Sequence, residues 1–186
     1  MKRKLNKRQK LLRNLLLLAL LALIYLFLTG SQGYLTADQA HDASEMTLNY
    51  GPSQVAEVVR AGNVRYYLGR YDRWFSCHPV YWTLTGWRFG SQSLCDEIDP
   101  VKAVNHSWFL SNGQGRIWGV VNDPEIVAVE AELSNSQDTI FLRQNQLYRD
   151  NMFLLLYQAD SAGEDYILRT IRGYDRDGSL IYTESL

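Results

Sequence analysis

Ile126-Val-Ala-Val-Glu-Ala-Glu-Leu133 is the run that decides the fold class. Val129, Ala131 and Leu133 alternate with Glu130 and Glu132. That period of two puts apolar side chains on one face of a strand and carboxylates on the other. Asn122-Asp-Pro-Glu125 forms a turn before it, and the polar segment Ser134 to Asp138 ends it. Toward the C-terminus, Thr139 to Leu142, Met152 to Tyr157, Tyr166 to Arg172 and Leu180 to Thr183 follow at intervals of about 10 to 15 residues. Asp177-Gly178 supplies the positive φ needed at the tip of a last hairpin. Short strands at this rhythm, broken by turn residues, predict one antiparallel β-sandwich or barrel, not βαβ units.

The same texture runs back toward the N-terminus. Arg116 to Val121 pairs with Ser107 to Leu110 through Asn112-Gly-Gln-Gly115. Asp99-Pro100 starts a single helical turn through Val104, with proline at the first position. Val80 to Leu84 and Gly86 to Phe89 are β-rich, and Val64, Tyr66 and Leu68 share one face of Val64 to Tyr71. Ala61-Gly62-Asn63 turns that strand back on Val55 to Arg60. The mainly β domain is expected to cover residues 51–186, opening at the turn Tyr50-Gly-Pro-Ser53. Before it, residues 30–50 read as a stalk in which Thr36 and Gln39 make a capping box for a short helix through about Glu45. That helix carries little apolar surface and is expected to be mobile or lightly docked.

Residues 1–14 hold seven basic side chains and no acidic one, and Leu15 to Leu28 is a run of fourteen residues without a charge. The pattern predicts a transmembrane signal anchor over Leu15 to Thr29, apolar all round, with the basic tail cytoplasmic and the β domain extracytoplasmic. Thr29-Gly-Ser-Gln-Gly33 is a weak version of a cleavage site, so an uncleaved single-pass anchor at the cell membrane is expected.

The charge balance changes once the tail is set aside. Taking its seven cations from the chain's 19 leaves 12 against 20 acidic residues, a formal charge of −8. Only Lys102 remains among the lysines. Such a domain does not suit nucleic acid, which draws on clustered positive charge.

Among the residues that carry chemistry, Cys77 and Cys95 form either a disulfide or a pair of unpaired thiols. His41, His78 and His106 are scattered and no cysteine or histidine pair has zinc spacing, so no metal and no cofactor is expected. Asp175-Arg-Asp-Gly178 with Glu184 matches part of a calcium loop, but Gly173 stands where the first ligand belongs. Nucleophile and phosphate-loop motifs are absent, and no catalytic residue is assigned. Asp96/Glu97 and Glu164/Asp165 are adjacent carboxylates in turn-like contexts. All five tryptophans fall between Trp74 and Trp118. Aromatic residues build β cores. Trp74, Trp82 and Trp87, nearest to glycine, proline and polar residues, are the candidates for a ligand-binding surface.

Trp118-Gly-Val-Val-Asn-Asp-Pro-Glu-Ile126 and Gly173-Tyr-Asp-Arg-Asp-Gly-Ser-Leu-Ile-Tyr182, together with the anchor, resemble uncharacterised small membrane-anchored extracytoplasmic proteins of Gram-positive bacteria. The resemblance implies a tethered β domain and brings no activity with it. The expected function is a non-catalytic domain that binds or senses a cell-envelope component, a cell-wall glycan or an envelope protein. The alternative is a carbohydrate-active envelope enzyme whose carboxylates converge only in the fold.

Overall fold

The computed structural model describes residues 6–28, 33–90, 94–111, 113–158 and 166–186, with the side chains of 26–28 and 111 excepted. Glu164/Asp165, Asn112 and the Thr29 end of the expected anchor lie outside them.

The mainly β, antiparallel expectation holds. Twelve strands among the described residues form three sheets. The first has β1 (Gln54–Ala61), β2 (Val64–Tyr71), β3 (Trp74–Thr83) and β4 (Gly86–Phe89) in order, with β5 (Leu94–Glu97) also paired to β3. The second has β6 (Val104–Ser111) and β7 (Gln114–Val121) with β10 (Met152–Gln158) on the other side of β7. The third runs β12-β11-β8-β9, from Leu180–Ser185, Ile167–Tyr174, Ala128–Ser134 and Thr139–Gln144.

Of the sandwich or barrel expected, the structure is a sandwich-like stack, with three sheets. Alternate residues of the second sheet face different neighbours. Trp118, Val120, Met152 and Leu154 pack on Tyr66, Leu68, Phe75 and Cys77 of the first sheet. Ile117, Val121, Phe153 and Leu155 pack on Val129, Ala131, Leu133 and Ile171 of the third. A sheet covered on both faces cannot alternate polar with apolar, and β7 is buried from Gly115 through Val121. In the third sheet one face meets solvent. There Val129, Ala131 and Leu133 are buried, while Glu130 and Glu132 turn outward to Arg172.

Several turns fall where the sequence places them. Gly62 and Gly178 sit at hairpin tips with positive φ, and Asp175 Oδ1 accepts from the amides of Asp177 and Ser179. Asp99-Pro100 makes a turn instead of a helix, with Asp99 Oδ1 accepting from the Val101 amide.

The structure corrects the expected stalk. Helix α2 (Ala37–Leu48) lies on the outer face of the first sheet, and Tyr34 bridges Trp87 of β4 in both directions. The folded unit therefore takes in residues that the sequence reading left outside it. Small residues explain the docking. Ala37, Ala40 and Ser44 recur on one helical face, and their short side chains let the helix axis approach the strands.

The structure decides between the two states left open for Cys77 and Cys95. Ser76 stands opposite Cys95 and Cys77 opposite Leu94 across β3 and β5. Neighbouring positions on a strand face opposite ways, so the thiols lie on opposite sides of the sheet and both are free.

Helix α1 (Lys7–Leu28) precedes all this. Every described side chain from Asn6 to Tyr25 is exposed. Among the described residues no helix is long and apolar enough to cross a membrane, so the transmembrane span expected over Leu15 to Thr29 finds no support in α1. Lys7, Arg8, Lys10 and Arg13 occupy the first two turns of α1.

Candidate functional site

Helix α2 is specified locally. Thr36 Oγ1 accepts from the Gln39 amide at 3.1 Å, and the Gln39 side chain accepts from the Thr36 amide at 3.4 Å. Asn49 closes the other end with φ 52°. Once the helix starts at Ala37, His41 and Glu45 follow four apart on the face that meets the sheet. His78 comes to the same place from the middle of β3, opposite Tyr67 of β2.

The three side chains are enclosed, with relative exposures of 3% for His41, 4% for Glu45 and 0% for His78. His41 Nε2 lies 3.3 Å from Glu45 Oε1. The Glu45 carboxylate also accepts the Ser53 amide, at 3.3 and 3.2 Å to its two oxygens. The His41 ring stacks on Tyr67 at 4.4 Å between centroids, and Tyr67 donates its hydroxyl proton to Asp38 at 2.6 Å. Tyr50 presents its edge to His78 at 5.4 Å. Ser44 bridges the helix to the strand through His78 Nδ1 at 3.1 Å.

Burial favours the uncharged form of both rings. Burial pulls His41 down, opposed by Glu45, Asp42 and Asp38. Burial pulls His78 further, to about 3, with His41 and Arg116 adding to the effect. Two neutral imidazoles and a carboxylate offer nitrogen and oxygen lone pairs in one small volume.

The tryptophans are dispersed. Trp82 and Trp87 face each other across β3 and β4, 5.6 Å between centroids. Trp82 is 50% exposed, and Leu84 at the hairpin tip is fully open. Trp87 is partly buried, with the Arg65 guanidinium 4.4 Å over its ring. Trp74 starts β3, eight residues from Trp82, which at about 3.3 Å per residue is roughly 26 Å away. The structure thus brings two of the three together and leaves Trp82 as the open ring.

Other sequence candidates are occupied in structural roles. Glu184 accepts from Lys102 Nζ at 3.1 Å and from the Tyr182 hydroxyl at 2.9 Å, away from the Asp175 turn. Burial drives the Cys77 thiol up to about 12, which makes it a poor nucleophile. The His41–Glu45–His78 cluster escaped the sequence reading. Its legible half was a His and a Glu four apart after a capping box. Nothing in the sequence marked His78 as their partner. Compared with protein-family models, with curated proteins and with solved structures, the chain matches none.

Proposed function

We propose that the protein is a membrane-tethered, non-catalytic binding domain of the cell envelope, with α1 as its anchor and the β domain on the extracytoplasmic side. The observation that carries this reading is the state of α1. From Leu11 to Tyr25 it presents a wall of exposed leucines, a condition that water penalises and lipid relieves. Its uncharged part, Asn14 to Leu28, rises about 22 Å, short of a hydrocarbon core of roughly 30 Å, so in this reading the basic first turns also enter the interface. Lysine and arginine in its first turns can extend their charges to the headgroups, and their sign favours a cytoplasmic N-terminus. The binding surface in this reading is the end of the β3–β4 hairpin, where Trp82 and Leu84 are open and Trp87 backs them.

Protease added to intact cells or spheroplasts is expected to digest the β domain while the protein remains with alkali-washed membranes. Protection until lysis, or release by the wash, overturns the tether. For the binding surface, detergent-solubilised full-length protein is expected to co-sediment with cell-wall material, and Trp82→Ala to lose most of that retention. Equal retention of the two proteins removes Trp82 from the surface.

A further inference from the structure

One potential ligand atom from each of His41, Glu45 and His78 lies within 4.8 Å of the other two. The placement of hydrogens separates this cluster from ordinary packing. Ser44 Oγ lies 2.7 Å from the carbonyl oxygen of His41 and 3.1 Å from His78 Nδ1. A carbonyl cannot donate, so the single hydroxyl proton goes to it, and Ser44 Oγ accepts from His78 Nδ1–H. That fixes a proton on Nδ1 and leaves Nε2 as the nitrogen with a lone pair to offer. His78 Nε2 is buried with no hydrogen-bond partner, and so is His41 Nδ1. Buried polar atoms are nearly always satisfied. His78 Nε2, buried and unpartnered in one cluster with His41 Nε2 and the Glu45 carboxylate, offers a lone pair to a cation that accepts nitrogen and oxygen donors.

We propose that His41, Glu45 and His78 form a binding site for a divalent transition-metal ion of the zinc class, which fastens α2 to the outer face of the first sheet. Two imidazoles and one carboxylate suit zinc and its first-row neighbours, whereas calcium and magnesium ask for oxygen throughout. Tetrahedral bonds of about 2.1 Å set donor atoms about 3.4 Å apart. The His41–Glu45 pair is already at 3.3 Å. The widest separation, bounded at 4.8 Å, closes by at most about 1.4 Å to reach that spacing, a movement within reach of side-chain rotation. Ser44 holds the His78 ring by its other nitrogen, the arrangement that orients imidazole ligands in metal sites. Tyr67 supports the His41 ring by stacking, and the Ser53 amide steadies Glu45. A surface cleft of about 590 Å³, lined by Asp42, Glu45, Met46, Asn49, Tyr50 and Pro52 among others, leads from solvent to the carboxylate. Neither histidine lines the cleft, so an ion would enter on the Glu45 side.

The test uses full-length protein in detergent, stripped with a chelator, then incubated with Zn²⁺ and passed through a desalting column. Wild type is expected to retain about one zinc per chain and to melt at higher temperature than the stripped form. Glu45→Gln and His41→Asn are expected to weaken zinc at least about 100-fold, and Ser44→Ala about 10- to 100-fold. Circular dichroism of the stripped proteins checks that each variant folds. Co²⁺ in place of zinc is expected to give visible absorption bands of low-coordinate cobalt in wild type alone. No retained zinc in wild type overturns the proposal. So does equal retention by folded Glu45→Gln and His41→Asn. Membrane attachment is not involved in either readout, so the tether and the metal site fail separately.

Discussion

Gly51 stands at φ 98°, and a Cβ built there would lie 2.5 Å from Glu45 Oε2. Both facts act on the same carboxylate, because the chain folds back over the end of α2 to deliver the Ser53 amide to it. Gly51→Ala should therefore cost about 1–3 kcal/mol through backbone strain alone. It should also raise hydrogen exchange along α2, read by mass spectrometry. Unchanged melting and unchanged exchange would show that Glu45 is not held this way. At this scale the sequence was legible in its turns. Gly62, Gly178 and the Thr36–Gln39 box depend on neighbours a few residues off. It was illegible for His78, whose role depends on residues 34 and 37 positions earlier. The thiols show the same limit. Their spacing permits a bridge, and the pairing of Ser76 with Cys95 forbids it.

Strands and helices sort by how many faces they bury. β8 buries one face, and its alternation could be read directly from Val129, Glu130, Ala131, Glu132 and Leu133. Leu133 is fully enclosed between the second and third sheets, so Leu133→Ala should cost about 2–5 kcal/mol in chemical denaturation. Its neighbour Glu132 points to solvent and Arg172, and Glu132→Ala should cost about 1 kcal/mol or less. Similar losses for the two would mean that the register of β8 is wrong. β7 buries both faces, which erases the alternation and makes it read as a plain β-rich run. α2 misled in the opposite direction. Asp38, Gln39 and Asp42 give it a polar composition, while the surface it buries is made of alanines, Ser44, His41 and Glu45. Hydropathy weighs bulk, and this helix docks by closeness of approach.

At the scale of the molecule, three stacked sheets need ties at their rims as well as cores between them. Glu184 on β12 is one such tie, meeting Lys102 at 3.1 Å and His106 at 3.6 Å from the edge of the second sheet. Partial burial pulls the carboxyl upward, but the hydrogen bonds from Lys102 and Tyr182 and the charges of His106 and Lys102 outweigh it, so it sits below its ordinary value. A carboxyl depressed in the folded state adds stability above its unfolded value and loses it as pH falls through the folded one. Lys102→Met relaxes that depression and should move the acid-unfolding midpoint to higher pH. Coincident acid limbs for mutant and wild type would remove Glu184 from the tie. The mainly β class was legible because strand rhythm is local. The number of sheets was not, because which strand covers which is fixed by contacts far apart in the chain.

The bridge between Tyr34 and Trp87 has a consequence for where the protein can act. It brings the chain into the fold at Gly33, and four residues separate Gly33 from the end of α1. Five steps of extended chain reach about 18 Å at most. With α1 as the anchor, that is the length of the leash. Under the proposed tether the domain would stay in a thin shell against the bilayer, and anything fixed deeper in the wall would lie beyond its radius. A partner that drifts in the same membrane would then be met by a search in two dimensions, at a high local concentration that a weak contact can exploit.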